Sequence, residues 1–230
     1  MASAPAPDLY PAAIAHIGAI PESALRRSFY QRRGKRAFDL ALGSLMFAGC
    51  LPLMLIVGVA VLLTSGWPVL YASERVGMDG RRFWMWKFRT MVHDADIVME
   101  HWKRTHPDLA EQYATNYKLK DDPRVTPLGR FLRKSSLDEL PQFLNVLRGD
   151  MSLVGPRPYL PALPPEARSM EVITSVRPAI SGPFQVNGRN ALTPQQRMQL
   201  DVDYATNLTF FGDCWLLLQT FKPIAKRDGD

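Results

Sequence analysis

The sequence predicts an α/β chain: one long apolar helix near the N-terminus, then a compact domain in which helices alternate with short strands. Three observations carry this prediction. Leu40 to Leu63 is a run of 24 residues without a charge, long enough for a membrane helix. Gly77-Met78-Asp79-Gly80 reads as a hairpin turn leading into Phe83-Trp84-Met85-Trp86-Lys87-Phe88, a run rich in strand formers. Further on, polar stretches with scattered large apolar residues, as in Met91 to Lys118, have the pattern of surface helices.

Residues 1–32 are expected to form a mobile tail, since Ala2 to Pro21 is rich in Ala and Pro. Residues 33–66 are expected to form a membrane helix hinged at Pro52. As a helix, the apolar run would reach about 36 Å against a hydrocarbon core of about 30 Å. Pro52 divides it into arms of 12 and 11 residues, each about half a bilayer long. Both flanks are basic, with Arg26, Arg27, Arg32, Arg33, Lys35 and Arg36 before the run and Arg75, Arg81, Arg82, Lys87 and Arg89 after it. A spanning helix usually leaves one side poorer in Lys and Arg. A re-entrant helix that enters and leaves by the cytoplasmic face satisfies both features, with a proline-kinked spanning helix as the alternative. About 39 residues precede the run and no A-x-A-like site follows it, which disfavours a signal peptide.

Residues 67–222 are expected to form the cytosolic domain, and 223–230 a C-terminal tail. Gly66-Trp67-Pro68 breaks the helix and Val69-Leu70-Tyr71 reads as a short strand. Asp122 to Pro127 is a rigid connector, and Pro141 to Leu147 continues a helix from a preceding acid pair. Met151 to Pro158 is an apolar strand ending in a turn that holds Arg157 between two prolines. The remainder is less regular, with no internal repeat.

The chain has 230 residues, 47% of them hydrophobic, enough for a substantial core. Its net charge of +6 suits phosphorylated substrates, anionic lipid or nucleic acid, and selects none of them. Cys50 and Cys214 have no metal-ligand spacing and fit a reducing, cytosol-facing location. The four histidines, His16, His93, His101 and His106, show no ligand spacing either.

Asp138-Glu139 is the feature richest in chemistry. It lies in Arg130-Phe131-Leu132-Arg133-Lys134-Ser135-Ser136-Leu137-Asp138-Glu139-Leu140-Pro141-Gln142. Adjacent acids beside cations can supply a nucleophile, a divalent-metal ligand and phosphate clamps, the components of a phosphoryl-transfer site. Ser136-x-x-Glu139 also has capping-box spacing. With Ser136 as N-cap, Pro141 would fall where its missing N–H disrupts the helix; with Asp138 as N-cap it falls within the first turn. Either register puts Asp138 at the positive end of a helix, and the residues alone leave catalysis and capping both open. From pattern, Lys87 and Arg89 alternate with aromatics as solvated charges on a half-exposed strand would, and Arg157 could simply fix its turn.

Together these segments resemble the bacterial sugar transferase family, the monotopic polyprenol-phosphate phosphoglycosyl transferases that start exopolysaccharide and O-antigen assembly. The resemblance runs in order through Lys35-Arg36-Ala37-Phe38-Asp39, Glu74-Arg75-Val76-Gly77, Lys87-Phe88-Arg89-Thr90-Met91 and Asp122-Pro123-Arg124-Val125-Thr126. It continues through Ser136 to Gln142, Gly149-Asp150-Met151-Ser152 and Val154 to Pro158, and more loosely from Arg177-Pro178 to Gly188-Arg189-Asn190. It covers roughly Arg33 to Phe221.

The resemblance implies a re-entrant helix hinged at Pro52, a cytosolic catalytic domain on the bacterial inner membrane, and a Mg²⁺-dependent two-step exchange. Asp138 would attack the β-phosphorus of a UDP-sugar, a UDP-hexose such as UDP-glucose or UDP-galactose, releasing UMP. Polyprenyl phosphate would then take the sugar phosphate. Glu139 would belong to the Mg²⁺ site and Arg133 would hold phosphate. Lys87, Arg89, Arg157, Gln185 and Arg189 match positions on the substrate side. No nucleic-acid partner is implied, and a homo-oligomer is compatible. Two departures stand out: Leu51-Pro52 where the family often has Ser-Pro, and Ser181-Gly182-Pro183-Phe184-Gln185 where many relatives carry Gly-Leu-Trp-Gln. The competing readings are a membrane-attached UDP-sugar hydrolase and a noncatalytic basic membrane-surface protein.

Overall fold

A computed structural model describes residues 28–105, 122–161, 168–187 and 192–220. Helices and short strands mix along these residues, as expected of an α/β chain. A π-helical turn, Tyr30–Gly34, runs into α1, Lys35–Ser65. Then follow β1 (Leu70–Val76), β2 (Arg82–Phe88), α2 (Ala95–Thr105), α3 (Pro127–Ser135), a 3₁₀ turn at Leu137–Glu139, and α4 (Gln142–Arg148). The last elements are β3 (Ser152–Val154), α5 (Arg168–Thr174), β4 (Ala179–Ser181), α6 (Pro183–Val186), α7 (Pro194–Thr206) and α8 (Phe210–Thr220).

Tyr30–Ser65 is long and apolar enough to cross a membrane. The helical path continues through Pro52, although a proline there cannot donate to the carbonyl one turn back. Gly66, at φ 72, ends the helix, its N–H reaching the Leu62 carbonyl at 3.0 Å. Much of the apolar surface of α1 is uncovered, including Leu45, Leu55, Ile56 and Leu63, which are 64–80% exposed.

The described residues separate into two units. One takes the described parts of Met1–Gly49, Ala72–Met85 and Gln142–Ala225, the other those of Cys50–Tyr71 and Trp86–Pro141.

In the first unit the motif at the start of α1 is spent on holding that helix in place. Arg36 donates to the Val146 and Leu147 carbonyls at 2.6 and 2.8 Å, satisfying the C-terminal end of α4. Buried Asp39 accepts from Ser152 Oγ and the Leu153 N–H. Lys35 pairs with buried Asp213 at 2.6 Å. β3 and β4 form a parallel pair in the register Ser152↔Ala179 and Val154↔Ser181, joined through α5. α7 begins with a full capping box, Thr193 with Gln196, ahead of Pro194. None of α5 to α8 nor the β3–β4 pairing stands out in the sequence, where this stretch reads as less regular.

In the second unit the core is Val57, Val61, Phe88 and Leu132, with Met54, Val69, Leu70, Leu128, Leu137 and Leu140 packed on it. Val57 and Val61, four residues apart, present one face of α1 to that cluster.

Three sequence expectations need correction or extension. β1 runs to Val76 and pairs with β2 through the expected turn at Met78–Gly80. The helix predicted from the acid pair onward starts only at Gln142, because Pro141 lacks the donor needed to continue the preceding turn. Of the helices expected over Met91 to Lys118, α2 is seen; residues 106–118, residues 1–27 of the expected N-terminal tail, the C-terminal tail and Arg189 lie outside the described residues, while residues 30–32 of that tail are helical.

Candidate active site

The site assembles on the second unit. After β2, Thr90 is tied to the connector Asp122–Pro127: Thr126 N–H reaches the Thr90 carbonyl at 3.1 Å, Val92 N–H reaches the Arg124 carbonyl at 2.9 Å, and Met91 bridges Val125. The connector is itself stiffened by Arg124, which grips Asp122 with contacts of 2.7–3.2 Å. Burial alone would raise the Asp122 pKa, but the Arg124 hydrogen bonds outweigh it and hold the carboxyl below its usual range. Thr126 then caps α3 by accepting from the Gly129 N–H at 2.9 Å, and Pro127 fills the first helical position. Gly129 permits the close approach of α3 to this strand end: a Cβ there would sit 2.0 Å from the Thr90 carbonyl oxygen. Arg133, one turn further, donates through Nε to Thr90 Oγ1 at 2.9 Å.

α3 stops at Ser136, whose φ of 60° is left-handed and whose N–H returns to the Leu132 and Arg133 carbonyls. The chain turns there into the 3₁₀ segment. Leu137 and Leu140, three residues apart, share one side of a three-residue turn and pack on the core. Asp138 and Glu139 are thereby left to the other side. The Ser136 side chain makes no cap hydrogen bond, so the capping-box reading of Ser136-x-x-Glu139 fails: a left-handed residue that closes one helix cannot aim its hydroxyl along the next. Nor is Asp138 an N-cap; it lies inside the 3₁₀ turn, before Pro141 and α4.

On β2, Phe88 points into the core and Lys87 points the other way, to the acids. Its Nζ lies 2.7 Å from Glu139 Oε1 and 3.9 Å from Asp138 Oδ2. All three side chains are largely sheltered, at 20, 19 and 11% exposure. Burial raises the Asp138 pKa above the usual carboxylate value; the Lys87 ammonium pulls it back, Glu139 pushes it up, and Arg133 pulls it down. Asp138, Glu139, Lys87 and Arg133 therefore form one electrostatic cluster.

Arg89 belongs to the same unit but spends its guanidinium elsewhere. It is 8% exposed and donates to the carbonyls of Ser65, Gly66 and Trp67, satisfying the open end of α1. Neither Lys87 nor Arg89 is the solvated strand charge that alternation suggests. Lys35, Arg36 and Arg89, three of the cations flanking the apolar run, are thus spent on partners within the protein.

Arg157 and Gln185 lie in the first unit. Arg157, between its prolines, lines a small cavity with Val76, Tyr159, Met170 and Ile173. Gln185 donates from Nε2 to the Ile180 carbonyl at 3.1 Å, while its buried Oε1 has no partner among the described residues. Thr90 and Gly129 are the supporting residues that sequence reasoning passed over. Thr90 sits inside the Lys87 to Met91 motif, and a glycine in the first turn of a capped helix is a signal for close packing.

The donor chemistry suits Mg²⁺: two adjacent carboxylates offer hard oxygen ligands. Among the described residues no three His, Cys, Asp or Glu side chains converge.

Residues 30–227 match the family model described as Bacterial sugar transferase. Among similar proteins, the UDP-galactose-lipid carrier transferase of Erwinia amylovora is 41% identical over 85% of this chain and 41% of its own length. The exopolysaccharide production protein ExoY of Sinorhizobium fredii is 37% identical over 85% of this chain and 87% of its own. The UDP-glucose:undecaprenyl-phosphate glucose-1-phosphate transferase of Escherichia coli is 37% identical over 81% of this chain and 39% of its own. The chain thus spans about two fifths of the longer relatives and nearly all of the shorter one. A match of this extent places the chain in the bacterial sugar transferase family.

Proposed function

We propose that the protein transfers a sugar 1-phosphate from a UDP-sugar to polyprenyl phosphate, releasing UMP, as the opening step of exopolysaccharide or O-antigen assembly. The observation that carries the proposal is the cluster on the 3₁₀ turn: a sheltered Asp138 beside Glu139, with Lys87 above both and Arg133 within electrostatic reach. The names of the Erwinia and Escherichia relatives supply the lipid acceptor and a galactose or glucose donor.

In the first step an Asp138 carboxylate oxygen attacks the β-phosphorus. An O–P bond forms to the carboxylate, the bond from the β-phosphorus to the bridging oxygen breaks, and UMP leaves with that electron pair. In the second, an oxygen of polyprenyl phosphate attacks the same phosphorus and expels the carboxylate, giving a lipid diphosphate sugar and regenerating Asp138. No net proton is needed in either step.

A carboxylate buried as this one is has lost part of its hydration, which favours attack, provided it remains ionised. Lys87 keeps it so and holds Glu139 in place. Arg133, braced on Thr90, faces the transferring phosphate, a task suited to a guanidinium. When bound, Mg²⁺ held by Glu139 would neutralise diphosphate charge and stabilise the departing UMP. Arg157, Gln185 and Arg189 are assigned to the substrate side. α1 inserts as a re-entrant helix hinged at Pro52 on the cytoplasmic face of the bacterial inner membrane, where a soluble donor and a lipid acceptor can meet.

The test uses purified protein with Mg²⁺ and a panel of UDP-sugars, without lipid. The correct donor should give a burst of UMP of at most about one per site, the mark of a covalent intermediate. Rapid quenching and intact-mass analysis should show a sugar-phosphate adduct on the Asp138 peptide, discharged by polyprenyl phosphate. Lipid product formed with neither burst nor adduct would mean direct attack by the lipid phosphate. Steady UMP release without lipid would instead identify a hydrolase.

A further inference from the structure

β3 and β4 run parallel, and the chain leaves their carboxyl ends in two segments: Gly155 to Tyr159, which carries Arg157, and Gly182 to Val186, which carries Gln185. In open parallel sheets that end of the strands is where ligands are held. The two segments meet at their bases. Gly155 N–H donates to the Ser181 carbonyl at 2.9 Å, and a Cβ on Gly182 would sit 1.9 Å from the Gly155 carbonyl oxygen. Pro156 is pinned in turn by the Ala179 N–H, 2.7 Å from its carbonyl oxygen.

The far ends of the segments are joined by Arg197 of α7. Its guanidinium carbon lies 4.7 Å from the ring centroid of Tyr159 and 4.8 Å from that of Phe184, so one cation covers a ring from each segment. Asp201, one turn along on the same face and wholly buried, accepts from Tyr159 OH at 2.7 Å and stands 4.0 Å from Arg197 Nε. Packing alone does not explain a charged residue here. The Arg197 side chain is 18% exposed, its Nε has no hydrogen bond among the described residues, and a cation near the start of a helix opposes the dipole. A methionine would fill the space with no charge to desolvate. What a guanidinium adds is a flat, rigid surface that two rings can share.

Fixing the rings fixes their neighbours. Pro158 holds its own φ and restricts the residue before it, so the placing of Tyr159 carries back to Arg157. Phe184 adjoins Gln185 within the short helix α6, where Gln185 Nε2 reaches back to the Ile180 carbonyl. We propose that Arg197, backed by Asp201, is a positioning residue for donor binding: its stack on Tyr159 and Phe184 sets the attitude in which Arg157 and Gln185 meet the UDP-sugar. The proposal rests on the reading that the chain binds a UDP-sugar through these two residues. The Asp138 cluster belongs to the other unit and shares no residue with the stack, so loss of the stack should weaken binding and spare the chemistry.

The test measures UMP release by the full chain with Mg²⁺ and saturating polyprenyl phosphate, using UDP-glucose or UDP-galactose, whichever the unsubstituted chain turns over faster. Thermal melting confirms the fold of each variant. Arg197→Lys keeps the charge opposite Asp201 but cannot lie flat on two rings. It should raise the donor KM roughly threefold to thirtyfold, the range for lost cation–π contact, with kcat held within about twofold. Phe184→Leu should do the same, and Phe184→Trp, which keeps an aromatic face, should hold the KM near its original value. In a chain already carrying Arg157→Gln, the Arg197→Lys step should shrink, as expected of residues acting along one route. An unchanged KM in folded Arg197→Lys, a fall confined to kcat, or a step of full size beside Arg157→Gln overturns the proposal. Should Arg197→Lys fail to fold, the Phe184 pair decides: equal KM values for Phe184→Leu and Phe184→Trp refute the stack. No UMP from the unsubstituted chain with any UDP-sugar overturns the donor reading as well, which the other outcomes leave standing.

Discussion

Replacing Lys87 with Met removes the charge that keeps two neighbouring acids ionised, and the size of the effect follows from the distances. At an effective dielectric of about 20, the 3.9 Å separation from Asp138 corresponds to an attraction of about 4 kcal/mol. The pair is sheltered without being dry, so water and the competing Glu139 reduce this to roughly 1–3 kcal/mol in the balance between ionised and neutral Asp138. At pH values below the Asp138 titration in both proteins that is roughly fivefold to 150-fold in burst rate, a deficit that closes as pH rises. The sign is fixed: burial already holds the Asp138 pKa high and Lys87 opposes it, so its loss raises the pKa further. The acid limb of the lipid-free UMP burst should move to higher pH, while a burst at sufficiently alkaline pH is partly recovered. Rapid-quench measurement of burst rate against pH, at saturating Mg²⁺ and donor, reads both effects. An acid limb in the same place with an unchanged burst rate would refute the coupling between Lys87 and the nucleophile.

Other expectations follow from the same geometry. Asp138→Asn should abolish the burst while leaving stability at neutral pH unchanged or raised: a buried acid with a raised pKa costs stability as pH climbs through its titration, and an amide escapes that cost. Lower thermal stability would mean the carboxylate holds the turn together. Ser136→Gly should stabilise by about 1 kcal/mol with transfer retained, because φ 60° strains a residue bearing a Cβ; urea unfolding measures it, and a destabilised protein contradicts it. Asp201 is wholly buried, and burial lifts its pKa to about 6 despite the Tyr159 hydrogen bond and Arg197. Its contribution is present below pH 3.8 and lost as pH rises to about 6, at most about 3 kcal/mol over that interval. Asp201→Asn should therefore flatten the stability profile between about pH 4 and 6, and an unchanged slope there would exclude Asp201 as its source. Cysteines placed singly at Ser28 and Arg82, in a functional variant lacking Cys50 and Cys214, should both be labelled from the cytoplasmic side. Labelling from opposite sides would establish a spanning helix.

The local parts of this fold are written in local chemistry. The hairpin from β1 to β2 needs only its glycines and the strand formers beyond them, and the apolar length of α1 needs only counting. Legibility fails where a segment is stabilised by distant partners. α8 is an example: Phe-Phe-Gly-Asp-Cys-Trp-Leu-Leu-Leu has no amphipathic stripe of the ordinary kind, because its one charge is neutralised by Lys35, 178 positions away. The parallel pairing of Ser152 with Ala179 is likewise set by contacts across a crossover, which no turn signal announces.

The acid pair shows how far the site itself could be anticipated. Asp138 and Glu139 are conspicuous as residue types, yet in isolation their spacing fits a capping box equally well. What separates the readings is the backbone at Ser136: its left-handed φ ends α3, its hydroxyl makes no cap hydrogen bond to the following turn, and Leu137 and Leu140 dock on the core. Only that docking commits the two carboxylates to the side where Lys87 waits. Arg89 gives the converse case. Two residues from Lys87 and equally cationic, it faces a different demand, the unsatisfied carbonyls at the end of α1. Charge and spacing in the sequence cannot distinguish a guanidinium that closes a helix from one that meets a phosphate. The distinction lies in which acceptors the fold has left open, and here Arg89 serves the helix end while Arg133, one turn from Gly129 and braced on Thr90, keeps its charge beside Asp138.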